Sequence, residues 1–311
     1  MALFPRPILT DGATHSAQQF RMLVRDLARG AEGITQGTDL KVTQLGTPGT
    51  SVQVSDGSGV VRGRVNTFQG TYSVCNIGAV SVPIAATGGS GRSDMVILRV
   101  EDPEYEGSLN PEVDQIDYFQ VISGVSSSAT TIPDGRTGIP LARIDIPAST
   151  STITNAMIKD IRVIANPRRE TRQLTQSPTA ASTAITGSTL VYSYFSTAPG
   201  WNIAIPSWAT TVRAKIDIAG LRLLVNPFYG VLRATLGASL TLQATTLDDN
   251  QSGTRRINSL VADTLTIPDA YRGTTQLLRL QGAGATGNTG QMQVDAAATL
   301  VAQVEFEEAA R

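Results

Sequence analysis

Residues 211–218, Thr211-Val-Arg-Ala-Lys-Ile-Asp-Ile218, decide the fold class. Ala214, Ile216 and Ile218 alternate with Lys215 and Asp217. Side chains of a strand point to opposite faces in turn, so this period of two describes a strand with one buried and one wet face. The same pattern returns in Leu300, Ala302, Val304 and Phe306 against Gln303 and Glu305, and in Ala142, Ile144 and Ile146 against Arg143 and Asp145.

Working outward, short alternating runs fill the first half: Leu40–Leu45, Ser51–Val54, Gly59–Val65, Thr71–Val74 and Val80–Ile84. Turn-forming stretches such as Thr47-Pro-Gly49 and Asp56-Gly-Ser-Gly59 separate them. A longer apolar run over 94–100 reads as a central strand, and 117–123 and 141–146 as its companions. Residues 153–164 read as a short turn or helix. In the second half, strands are expected at 188–196, 201–205, 211–224, 230–242, 256–267, 274–281 and 291–306. Many short strands at regular spacing predict sandwiches or barrels.

One helix interrupts the pattern, expected over 16–29. Ser16 is an N-cap with Gln19 three residues on, the spacing of a capping box. Phe20, Leu23, Val24 and Leu27 form an apolar stripe at helical spacing. Gln18, Arg21, Arg25 and Asp26 are expected on a solvated face. Gly30 fits the left-handed position beyond the last turn.

The expected organisation is all-β. An N-terminal sandwich or barrel-like domain with one amphipathic helix covers residues 1–164. A linker or arm, rich in Ser, Thr and Ala, covers 165–186. A C-terminal jelly-roll-like sandwich covers 187–311, a candidate receptor-binding domain. The 311 residues suffice for two domains.

Charged residues are 16% of the chain and the net charge is −1. No basic stripe is present, so no nucleic-acid partner is expected. No apolar run approaches the ~20 residues of a spanning helix, and Met1-Ala-Leu-Phe-Pro-Arg-Pro7 lacks the form of a signal peptide. A soluble protein outside the usual secretion route is expected. The single cysteine, Cys75, forbids an intrachain disulfide and reads as a small buried hydrophobe. The single histidine, His15, offers no triad and no His-based metal site.

Candidate sites are few. The loop Glu101-Asp-Pro-Glu-Tyr-Glu106 gathers four carboxylates, but its spacing is not that of an EF-hand, and a solvated loop is expected. Asp248-Asp-Asn250 with Gln251 is read the same way. Paired carboxylates also perform glycoside hydrolysis, yet no aromatic-lined cleft is evident. Gly282-Ala-Gly-Ala-Thr-Gly-Asn-Thr-Gly290 lacks the Lys-Ser/Thr ending of a phosphate loop and reads as mobile. No catalytic residue, cofactor or metal is expected. Trp201, Trp208, Tyr229 and Tyr271 are the candidates for receptor or interface contact, because aromatic faces stack on sugars and anchor interfaces. Core filling is the competing role.

Four stretches resemble minor tail and baseplate proteins of tailed bacteriophages, especially phages of actinobacteria. Ile8-Leu-Thr-Asp-Gly12 before a helix resembles their start. Val52–Gly63 resembles their glycine turn between strands. Arg92-Ser-Asp-Met-Val-Ile-Leu-Arg-Val100 with Tyr105-Glu-Gly107 resembles "R-x-D-x-V-x-x-R-V … Y-x-G". Ile139-Pro-Leu-Ala-Arg-Ile144 with Ile153, Ile158 and Asp160-Ile-Arg162 resembles "P-L-A-x-V … I-x-D-x-R", with Ile144 in the valine position. Ile205-Pro-Ser-Trp-Ala-Thr-Thr-Val212 resembles a strand start of tail-fibre domains. The resemblance covers residues 8–162 in order and little beyond.

It implies a non-enzymatic virion part of the tail tip or baseplate, made in the host cytoplasm. The implied partners are other tail proteins, copies of itself with a trimer favoured, and a host surface glycan or protein. The alternatives are a tail-associated hydrolase of host wall glycan, a component of a phage-derived injection machine, and a bacterial surface adhesin, which lacks its signal peptide here.

Overall fold

A computed structural model describes residue 4, residues 7–8 and residues 10–311. The chain divides into two units, Met1–Pro167 with Ala309–Arg311, and Arg168–Glu308. Nearly all regular structure is β, as the alternation predicted.

The first unit opens with helix α1 (Ala17–Leu27). Ten strands follow: β1 (Gly33–Ile34), β2 (Val42–Gln44), β3 (Ser51–Val54), β4 (Gly57–Arg62), β5 (Thr71–Asn76), β6 (Val80–Pro83), β7 (Arg92–Val100), β8 (Asp117–Val125), β9 (Gly138–Ile146) and β10 (Ile158–Asp160). They form sheets of order β1-β4-β5, β2-β3-β6 and β10-β9-β7-β8. One core joins all three sheets: Ile34 and Val61 from the first, Val52 and Val54 from the second, and Val96, Leu98, Leu141 and Ile144 from the third. Met95 and Ile97, on the opposite face of β7, are also fully buried, so this strand is covered on both sides. That explains its unbroken apolar run.

The paired charges in this unit's recurring motifs have structural roles. Asp94 is completely buried and accepts Arg92 Nε at 2.9 Å and the Gly124 amide at 3.1 Å, where the β7–β8 register shifts. Arg162, its side chain fully buried, donates to Asp160 at 2.6 Å, to the Asp39 carbonyl at 2.6 Å and to the Arg311 carbonyl at 2.9 Å. It thereby fastens the C-terminal residues to the first unit. Burial pushes the Asp160 carboxyl up, but the Arg162 hydrogen bonds outweigh it and leave the pKa lowered.

The second unit contains β11 (Arg169–Gln176), β12 (Ser193–Tyr194), β13 (Trp201–Ala204), β14 (Thr211–Leu224), β15 (Phe228–Leu236), β16 (Leu240–Thr241), β17 (Thr245–Asp249), β18 (Arg255–Thr266), β19 (Thr275–Gly284), β20 (Gln291–Gln293) and β21 (Thr299–Glu307). One sheet has the order β11-β21-β14-β18, with β20 also on β14. The other runs β12-β19-β15-β16, with β13 on β19 and β17 on β15. Successive long strands therefore switch sheets, and every pairing is antiparallel. This is the strand order of a jelly roll. Ala214, Ile216, Ile218, Val304 and Phe306 of one sheet meet Phe228, Leu232, Leu278 and Leu280 of the other.

The expected linker does not exist as such. Arg169–Gln176 is a strand paired residue for residue with β21. Ser182 N donates to the Val294 carbonyl at 2.8 Å, and Ile185 exchanges bonds with Met292 at 2.7 and 3.0 Å. The stretch 168–186 is part of the jelly roll, and the boundary falls at Pro167/Arg168. Its strand is polar because it lies at a sheet edge with both faces partly wet, which removes the apolar alternation that marks other strands.

Candidate functional site

Helix α1 forms as its caps dictate. Ser16 Oγ accepts from the Gln19 amide at 3.2 Å, and Gln19 Oε1 accepts from the Ser16 amide at 3.0 Å. Gly30, at φ 72°, follows the last turn. The orientation of the helix, however, reverses the expectation. Its buried residue is Arg21, from the face expected to be solvated, while Phe20 is 47% and Leu27 72% exposed.

The partners of Arg21 explain the inversion. Arg21 Nε donates to the Gln69 carbonyl at 2.8 Å. Its terminal nitrogens lie 3.3 Å from Asp102 Oδ2 and 2.7 Å from Glu104 Oε2, and donate to the Tyr105 hydroxyl at 3.0 Å. The guanidinium also sits 5.5 and 5.2 Å from the ring centres of Tyr72 and Tyr105. Tyr72 in turn donates to Asp102 at 2.8 Å and accepts from Gln69 Nε2 at 3.1 Å. Burial pushes the Tyr72 phenol well up, and the neighbouring Asp102 adds to the rise. Burial would lower the Arg21 guanidinium, but its bonds to Glu104 and Tyr105 raise it instead. The helix is thus held chiefly by a charged plug, with Leu23 and Val24 of its apolar stripe half-buried and Phe20 and Leu27 exposed.

The backbone makes room for this plug at Gly70. Its φ is +81°, and a Cβ there would stand 2.7 Å from the Arg21 Cβ. Gln18 and Arg25 donate to the carbonyls of Phe68 and Thr67, so the loop 66–69 lies along the helix. Phe68 of this loop and Val65 just before it are 67% and 52% exposed. On the other flank, a groove of about 600 Å³ is lined by Phe20, Val24, Tyr72, Pro103, Pro111 and Ile116. Apolar side chains thus lie on both flanks of a polar anchor.

The acidic loop is tied into the unit by its own carboxylates, although Glu104 stays exposed. Asp102 and Glu104 hold Arg21, Glu106 accepts from Arg99 at 3.1 Å, and Glu101 accepts from Tyr118 at 2.7 Å. Asp249 of the second acidic stretch is paired with Arg255. Among the described residues, no cluster of His, Cys, Asp or Glu is suited to a metal. Cys75 is exposed rather than buried, its sulfur 2.9 Å from Ser58 Oγ. It lies on a short, outlying strand with one wet face. The glycine-rich stretch 282–290 is ordered by Asn288, which donates to the Gly187 and Gly290 carbonyls at 2.8 and 3.1 Å and accepts from the Tyr229 and Gly290 amides at 3.0 and 3.2 Å.

The four aromatic candidates do not converge. Trp201 is 8% exposed and belongs to the core. Trp208 is half-buried against that core, with Arg168 5.3 Å from its ring centre. The Tyr271 hydroxyl accepts from the amides of Ala238 and Ser239 at 2.8 and 2.9 Å, and these bonds lower its pKa. Tyr229 alone keeps an open ring, at 43% exposure. Tyr229 and the turn held by Tyr271 lie at opposite ends of β15, about 27 Å apart at the rise of an antiparallel strand.

No family model and no curated protein sequence matches the chain. Solved structures of infectious bursal disease virus do align along most of it. The Gx strain aligns at 12% identity, covering 91% of this chain and 72% of that chain, with a TM-score of 0.27. The VP2 subviral particle aligns at 14% identity, 89% and 78% coverage and a TM-score of 0.25. The T13 viral particle aligns at 13% identity, 94% and 85% coverage and 0.24. Likeness at this level does not bear on function, and the jelly roll rests on its own strand order. No helix among the described residues is long and apolar enough to cross a membrane.

Proposed function

We propose that this chain is a non-enzymatic structural component of a tailed-phage particle, located at the tail tip or baseplate. The observation that carries the reading is the inverted helix: α1 is anchored by buried Arg21 and presents Phe20 and Leu27 away from the core. A monomer gains nothing by exposing Phe20 at 47% on one flank of the helix and Phe68 at 67% on the other, whereas an assembly surface does. In this reading α1 and loop 66–69 attach the first unit to a neighbouring tail protein or a second copy, with a trimer favoured. The jelly roll serves host contact. The ordered resemblance of residues 8–162 to minor tail and baseplate proteins supports the same assignment.

Against the hydrolase alternative, all four acids of 101–106 hold an arginine or tyrosine. Immunogold labelling of virions with an antibody to this chain tests the proposal. Gold at the tail tip is expected, and gold confined to the head or absent from particles overturns it.

A further inference from the structure

The outer face of the β12-β19-β15 sheet carries an arrangement that no role described above absorbs. Leu278, Leu280, Leu232 and Ala234 point into the core. Strand alternation therefore sends Arg279, Gln281, Arg233 and Thr235 outward. Tyr194, Gln281 and Arg233 lie in one row across the three strands, and Arg279 faces Thr235 in the next. Arg233 and Arg279 are diagonal neighbours, a placement of about 7–8 Å across a sheet.

Eight of the ten arginines in this unit are ion-paired. The two that are not are these neighbours. Arg233 donates only to the neutral Gln281 Oε1, at 2.9 Å, and Gln281 is itself 8% exposed. Arg279 has a buried Nε with no acceptor. A buried donor without a partner is costly and calls for an explanation.

Each guanidinium is stacked on a tyrosine, Arg233 at 3.4 Å from the Tyr192 ring centre and Arg279 at 4.2 Å from that of Tyr194. The Tyr194 hydroxyl lies 3.2 Å from Thr235 Oγ1, which fixes its ring. Stacking holds the arginines in place before any ligand arrives, so less entropy is lost on binding. Two pre-set forks without counter-charge suit an oxyanion, which each can grip through paired N–H donors. The ring of Tyr194, 40% exposed, adds an apolar face beside them.

We propose that this face binds an acidic saccharide, with Arg233 and Arg279 taking its carboxylate or phosphate and Tyr194 bearing on the adjoining sugar or polyol. The site is read from the second unit alone and stands whether or not the chain is a tail part.

Titration calorimetry of the full chain tests it with three probes: oligogalacturonate for carboxylate, oligo(glycerol phosphate) for phosphate, and a neutral dextran oligomer. At least one acidic probe is expected to bind, more weakly as salt rises, with dextran silent. Arg279→Gln and Tyr194→Ala should each weaken binding about tenfold. Arg213→Gln, on the other sheet, should leave it unchanged. Whichever acidic probe binds assigns the anion. Silence of both, binding of dextran to the same extent, or binding indifferent to Arg279→Gln and Tyr194→Ala overturns the proposal. Circular dichroism of each variant confirms that the fold is intact.

Discussion

Arg21 and Asp102 form an ion pair at 3.3 Å with side chains only 10% and 11% exposed. It joins the helix to a loop 81 residues later in the chain, and it decides which face of the helix meets the domain. Two charges are removed from water here, and they are tolerated because Tyr72, Tyr105, Glu104 and the Gln69 carbonyl satisfy the remaining donors and acceptors.

Arg21→Ala leaves Asp102 buried without its cation. Removing one partner of such a pair costs about 3 kcal/mol or more. Differential scanning calorimetry of the whole chain should show the transition of the first unit falling by several degrees while the jelly-roll transition stays in place. Equal transitions in variant and wild type would refute the anchoring role.

Phe20→Ser and Leu27→Ser test the opposite face. Leu27 is largely in water and Phe20 about half so, and stability should fall by no more than about 1 kcal/mol. Incorporation into particles should nevertheless fall sharply, read by immunoblot of purified virions. Normal incorporation of a stable double variant would show that this face does not attach the chain.

The capping box and helical period were legible because they are local: Ser16 and Gln19 are three residues apart. The helix face was not. An apolar stripe says which residues lie together, not which way they point, and Arg21 was drawn inward by Asp102 and Glu104 far along the chain. The jelly roll was legible from alternation in β14 and β21. Strand β11 was missed because its sequence, Arg-Glu-Thr-Arg-Gln-Leu-Thr-Gln, has one apolar residue, and its order comes from the eight-residue register with β21. Among the aromatic candidates, the broad apolar ring that suits Trp201 to stacking on a sugar also draws it into the core. The sequence signal of the proposed saccharide face is Tyr192-Ser-Tyr194, two rings two residues apart, with Arg233 and Arg279 on the paired strands β15 and β19.

Acidification should loosen the first unit through Asp160. Its folded pKa is lowered by Arg162, so the stabilisation is fully present above the unfolded aspartate value of about 3.9 and is lost as the pH falls through the lower folded value. Urea midpoints of the first unit should be level from about pH 5 upward and drop below about pH 4. Asp160→Asn should lower the neutral plateau and reduce the acid drop. A wild-type midpoint unchanged down to pH 2.5, read by hydrogen exchange of first-unit peptides, would rule this linkage out.

Asn288→Ala examines how a glycine-rich stretch is kept in order. One side chain serves two carbonyls and two amides, including the Tyr229 amide at the start of β15. Its removal strands several of these groups, and the net cost should be about 2 kcal/mol. The loss should be local first, since the strands on either side keep their ladders. Hydrogen exchange read by mass spectrometry should therefore rise over residues 285–290 and at the 187–190 segment, with the centres of β14 and β21 unchanged. Uniform exchange across the unit would instead mean that Asn288 supports the whole sandwich, and unchanged exchange at 285–290 would mean that the loop is ordered by its backbone alone.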